Sequence, residues 1–169
     1  MKKNLALTGM MGVGKSSIGL ALSKRLSMSF SDIDIIVEKK LNMTIQNIFE
    51  KKGEPFFRKI EEQVTLREIK KENIIISLGG GAFMNSKIRQ NILSKCKSFW
   101  LDLDIALIEK RLLKSKKRPL LKNKNLKDTL EKIYLVRKDA YNDANYRINC
   151  DKLSQNSLTN KIIKLYENN

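Results

Sequence analysis

The stretch G-M-M-G-V-G-K-S-S, Gly9 to Ser17, follows apolar Leu5-Ala6-Leu7 and precedes an amphipathic run from Ile18 to Leu26. A buried strand, a glycine-rich turn and a helix in that succession fix the local architecture before anything else is known. The spacing is the phosphate-loop pattern, a glycine, four residues and Gly-Lys-Ser, here Gly9, Gly14, Lys15 and Ser16. Glycines let the backbone turn tightly and aim several N–H groups at one anion, and the following helix adds its positive dipole end. Gly12, Val13, Gly14, Lys15, Ser16 and Ser17 are therefore the expected triphosphate cradle. Lys15 is placed to reach the outer phosphates and the Ser16 hydroxyl to ligate magnesium. The dinucleotide fingerprint fails, because Ser17 stands where its third glycine belongs. The expected ligand is a nucleoside triphosphate.

Five short apolar segments, near Asn4–Thr8, Ser29–Ile33, Ile74–Leu78, Ser98–Leu103 and Tyr146–Cys150, read as strands with helical stretches between them. Alternation of this kind predicts an α/β fold with a parallel sheet covered by helices on both faces. Runs such as Ile74-Ile75-Ile76 suit central strands buried on both sides. With 169 residues and no internal repeat, the expectation is one domain over 1–169. Ligands of such sheets collect beyond the carboxyl ends of the strands.

Bulk properties narrow the setting. Cys96 and Cys150 read as reduced core thiols. The N-terminus shows no apolar signal region, and no apolar run approaches the ~20 residues of a membrane span. The expected location is the cytoplasm, with no membrane partner. A formal charge of +16 can signal nucleic acid, but the lysines are spread along the whole chain. Scattered charge reads as composition bias rather than a nucleic-acid footprint. An ATP-responsive nucleic-acid-binding protein stays as the non-enzyme alternative, with no recognisable nucleic-acid module to support it.

The residues that follow each strand carry the chemistry. Asp32 and Asp34 lie two apart on a segment read as extended, so their carboxylates are expected to point the same way. One such acid can hold magnesium while the other faces an acceptor hydroxyl, although either can instead cap the next helix. Asp102, after Phe99-Trp100-Leu101, competes with Asp32 for the metal. Asp104 reads as the cap of a helix over Ile105–Leu113. Gly79-Gly80-Gly81 is either a tight turn or a place where backbone approaches a ligand closely. Gly53-Glu54-Pro55 opens a helix on which Arg58 and Glu61 meet three residues apart, ordinarily as a solvated ion pair. Arg118-Pro119-Leu120-Leu121 lies in a basic stretch, and an arginine there can close onto transferring phosphates. Arg137 and Tyr141 stand at i and i+4 on a helix expected over Leu126–Asn142.

Taken together, Gly9–Ser17, Asp32-x-Asp34, Phe56-Phe57-Arg58-x-x-Glu61, Gly79-Gly80-Gly81, Arg118-Pro119-Leu120-Leu121 and Arg137-x-x-x-Tyr141 resemble shikimate kinase in order and spacing along essentially the whole chain. The resemblance implies a three-layer phosphate-loop kinase fold with sheet order 2-3-1-4-5, a substrate-binding insertion about 33–62 and a lid about 112–125. It implies a monomer that uses MgATP to phosphorylate the 3-hydroxyl of shikimate, on the route to chorismate and the aromatic amino acids. Arg58 and Arg137 would clamp the shikimate carboxylate, Asp34 would contact the ring hydroxyls as candidate base, and Gly80 and Gly81 would offer backbone N–H groups. Phe57 would wall the pocket, Lys15 and Arg118 would bear on the transferring phosphate, and Arg111 would lie near adenine. Ser16 and, through water, Asp32 would hold Mg2+. A related small-metabolite or nucleoside-monophosphate kinase, for instance one acting on gluconate, is the enzymatic alternative.

Overall fold

The β1 strand, Asn4–Thr8, is buried at every position and runs through the middle of the sheet, as its unbroken apolar core requires. The structure, a computed structural model, describes residues 3–114 and 125–168. Strands β2 (Ser29–Asp32), β3 (Ile74–Ser77), β4 (Cys96–Asp102) and β5 (Tyr146–Asn149) complete one sheet of order β2-β3-β1-β4-β5, with every pairing parallel. The sequence and the resemblance together anticipated this arrangement, and several strand ends differ from expectation by one or two residues. β4 begins at Cys96 because that residue pairs with Asn4 at the start of β1. β2 stops at Asp32 because its carboxylate accepts from the Ile35 N–H at 3.3 Å and starts helix α2, Ile33–Leu41. Asp34 therefore sits in the first turn of a helix, and the extended geometry expected for Asp32 and Asp34 is corrected.

Helices cover both faces. α1 (Lys15–Leu26) lays Ile18 and Leu22 on the sheet, and a β-carbon on its Gly19 would stand 2.3 Å from the Phe30 ring. α8 (Gln155–Glu167) packs beside it through Leu158, Ile162 and Tyr166, with Ser154 as its N-cap. α3 (Ile45–Lys52) and α4 (Glu54–Glu68) follow α2 directly, so that these three helices pack on one another between β2 and β3. A short 3-10 turn, Ala82–Met84, leads into α5 (Ser86–Lys95), capped by Asn85. α6 (Ile105–Lys114) and α7 (Leu126–Asn142) pack against each other on the far side. Asp104 accepts from the Ala106 N–H at 2.8 Å, the capping role expected of it. The basic stretch with Arg118, and with it most of the lid expected at 112–125, lies outside the described residues.

Asn4 shows how the sheet is tied at its base. Its amide donates to the Lys71 carbonyl at 2.6 Å and accepts from the Ile74 N–H at 3.1 Å, with the side chain buried. Both backbone groups would lose their partner in Asn4→Ala. The variant should be less stable by about 1–3 kcal/mol, measured by urea unfolding, the usual cost of stranding buried polar groups. An unchanged midpoint would show that water replaces the amide without penalty.

Candidate active site

The phosphate loop occupies the end of β1, and its glycines are dictated by geometry at two places. Gly14 has φ 100°, in the left-handed region, as the residue that caps α1. A β-carbon on Gly9 would stand 2.5 Å from the backbone oxygen of Leu101, so nothing larger fits against β4. The buried Lys15 amine donates to the carbonyls of Gly9 and Met10, each at 2.9 Å. Arg111 reaches over from α6 and donates to the Val13 carbonyl at 3.0 Å, while Leu112 packs against Gly12. Ser16 Oγ donates to Asp32 Oδ2, which brings the two expected metal ligands into direct contact. Asp102, the rival, is engaged elsewhere, by the Arg147 guanidinium at 2.7 Å and the Tyr134 hydroxyl at 3.2 Å.

Beyond β3 lies the glycine corner, Gly79 to Gly81. None of the three has positive φ, so their use is the missing side chain and not backbone freedom. A β-carbon on Gly79 would stand 2.2 Å from Glu61 Oε1 and 2.8 Å from Asp34 Oδ1. On Gly80 it would stand 3.3 Å from Arg137 Nη1, and on Gly81 between 2.5 and 2.8 Å from the Arg58 guanidinium. Four charged side chains, from α2, α4 and α7, thus converge on bare backbone. The run makes a tight turn, with the Ala82 N–H donating to the Gly79 carbonyl at 3.0 Å, and these side chains close on it. The Tyr141 hydroxyl fixes the corner by donating to the Gly80 carbonyl, and it also stands 3.9 Å from Met10 Sδ.

Arg58 is held at 2.7 Å by Glu61 and at 2.9 Å by Glu54. Glu61 is only 1% exposed, so the solvated pair expected from its spacing is corrected to a buried one. Burial pushes the Glu61 carboxyl above the usual carboxylate range, with Arg58 working against it. Burial pulls on Arg58 in the opposite direction, yet its two carboxylates outweigh that and raise it further. Four buried side-chain atoms stay unsatisfied among the described residues, and two of them, Glu61 Oε1 and Arg137 Nη1, lie at this site. A buried guanidinium N–H without an acceptor is costly and marks where an acidic ligand group belongs.

A cavity of about 780 Å³ joins these parts. It is lined by Met11, Gly12 and the run Gly14 to Ser17 of the phosphate loop, by Asp32 and Asp34, and by Phe57, Arg58, Glu61, Gly80, Gly81 and Arg137. Phe57, 2% exposed, packs against Phe49 with ring centroids 4.9 Å apart and the planes tilted by 44°. Glu38, Ile45 and Phe49 line the same space. The sequence reading missed these three residues, since their spacing is that of ordinary helix faces. Arg118 lies outside the described residues. The cavity can seat a triphosphate at one end and a hydroxylated carboxylate at the other, with Asp34 between them.

The comparisons with known proteins agree with this chemistry. The sequence profile of the shikimate kinase family matches residues 11–167. The shikimate kinase of Bartonella quintana (strain Toulouse) is 38% identical over 167 residues, covering 99% of this chain and 80% of that protein. The one from Bacillus subtilis (strain 168) is 39% identical over 165 residues, with coverage of 96% and 88%. Among solved structures, shikimate kinase from Acinetobacter baumannii in complex with shikimate aligns with a TM-score of 0.91 at 31% identity, covering 96% of this chain and 92% of that one.

The buried Glu61 gives a pH signature. Its folded-state pKa lies above its unfolded value of about 4.3, so its contribution to stability is present below that pH. The contribution is lost as pH rises through the folded value. Glu61→Gln should therefore gain stability relative to the parent between pH 4 and 7, whatever the offset at pH 4. Thermal unfolding across that window reads the slope, and a constant difference would mean that Arg58 compensates the charge in full.

Proposed function

The chain belongs to the shikimate kinase family, and from that membership we propose how its residues transfer the γ-phosphate of ATP to the 3-hydroxyl of shikimate. The observation that carries the account is the convergence of Arg58 and Arg137 on one glycine corner, in the cavity that also holds Lys15. Two guanidiniums on one side of a small pocket suit a carboxylate, whose two oxygens accept paired N–H donors. The unpartnered Arg137 Nη1 supports that role. Gly80 and Gly81 add backbone N–H groups, and Phe57 walls the ring.

With the carboxylate fixed, the 3-hydroxyl lies against Asp34, in the cavity shared with Lys15. The hydroxyl oxygen bonds to the γ-phosphorus as the bond from that phosphorus to the β–γ bridging oxygen breaks. The hydroxyl proton passes toward Asp34, and ADP leaves with the electron pair. Lys15 leaves the Gly9 and Met10 carbonyls for the phosphate oxygens. Arg118 joins it there by the family pattern, and Arg111 borders the adenine. The Ser16–Asp32 contact fits a magnesium site, with Ser16 as direct ligand and Asp32 acting through water. Magnesium bound there supplies neutralisation of the phosphate charge. Residues 33–62, from α2 to the first half of α4, act as the substrate insertion, and 112–125 as the lid that excludes water. The same reading makes the protein a monomer that works in the cytoplasm.

Mixing the protein with MgATP and shikimate, with gluconate as the rival acceptor, tests the reaction: 3-phosphoshikimate should form, and its absence overturns the account. Arg58→Ala should weaken shikimate binding by about 2–5 kcal/mol, the cost of leaving a buried carboxylate partner unpaired. Unaltered affinity in calorimetry would remove Arg58 from the clamp. Asp34→Asn should lower kcat by roughly 10²-fold or more with KM for ATP little changed, the usual scale of a lost general base. Turnover near that of the parent would take Asp34 out of proton transfer.

A further inference from the structure

Arg58 carries one positive charge and meets two carboxylates, and the two are not equivalent. Glu61 accepts from Nη1 at 2.7 Å, is 1% exposed and is walled in by Gly79. Glu54 accepts through a single oxygen from both Nε at 3.1 Å and Nη2 at 2.9 Å, and its side chain is 58% exposed. The first is a fixed anchor. The second covers the side-on edge of the guanidinium, the fork that an incoming carboxylate is shaped to use, and solvent is open for it to swing into.

We propose that Glu54 is a built-in competitor for the acceptor's carboxylate and so sets affinity and selectivity at this site. The proposal rests on Arg58 binding that carboxylate, as above. A ligand entering the pocket exchanges with Glu54 and does not meet a bare cation. The exchange of one carboxylate for another gains little in itself, so a ligand is retained only if it gains more elsewhere. Shikimate has such contacts, at Asp34 through its ring hydroxyls. A simple carboxylate without hydroxyls does not, and Glu54 keeps it out. Selectivity of this kind comes from opposing the wrong ligand as much as from holding the right one.

Glu54 also lies in the first turn of α4, where an acid favours the helix dipole, so the test separates binding from folding. Glu54→Gln keeps the shape and removes the charge. KM for shikimate should fall about three- to five-fold, the scale of a half-exposed ion pair, while KM for ATP stays put. Cyclohexene-1-carboxylate, which offers the carboxylate alone, should become a stronger competitive inhibitor by at least the same factor. Circular dichroism monitors the fold, and Glu54→Ser, well tolerated at a helix start, gives a second variant with the same expected outcome. A KM for shikimate that is unchanged or raised in both folded variants overturns the proposal and makes Glu54 a support of Arg58. Wild-type protein that fails to phosphorylate shikimate is a separate result, overturning the function and not this exchange.

Discussion

Three absent β-carbons allow the site to exist. Asp34, Glu61, Arg137 and Arg58 belong to three helices that have no other reason to place charged tips together. Gly79 to Gly81 give them flat backbone to close on, and the Tyr141 hydroxyl holds that backbone by its Gly80 carbonyl. Like and unlike charges gathered at such distances in a partly dry pocket interact far more strongly than they would in water. Their mutual balance explains why Glu61 can be buried at all: without Arg58 its ionised form would lose most of its compensation, with Arg137 alone left to oppose the burial.

Much of this was legible from sequence, and the reasons are local. The phosphate loop announces itself because its geometry needs particular residues at particular spacings. The strands are visible because central parallel strands are apolar on both faces, and only their ends moved, by one or two residues. Burial of a charged pair was not legible. Arg58 and Glu61 at i and i+3 look the same on an exposed helix as on one pressed against a glycine corner, and only the tertiary contact with Gly79 and Gly81 tells them apart. Glu38, Ile45 and Phe49 were missed for the same reason. The order of the sheet came from likeness to a family, since alternation alone admits several windings.

Charge acts at two ranges. The chain as a whole carries +16, yet the cavity itself is lined by Asp32, Asp34, Glu38 and Glu61 against Lys15, Arg58 and Arg137. The surplus therefore belongs to the surface, where it can draw anionic ligands through a diffuse field that salt weakens. Recognition depends on a near-neutral interior in which individual pairs decide the outcome.

The phenol of Tyr141 touches the carbonyl of the acceptor corner and the thioether of Met10 in the nucleotide loop, with its ring wedged on Trp100. One rigid buried group thus ties the acceptor corner to the nucleotide loop from behind. Inherited changes on either side must suit that tie, so the halves of this enzyme are bound to evolve in step, and grafting one of them onto another scaffold would forfeit the alignment it exists to provide.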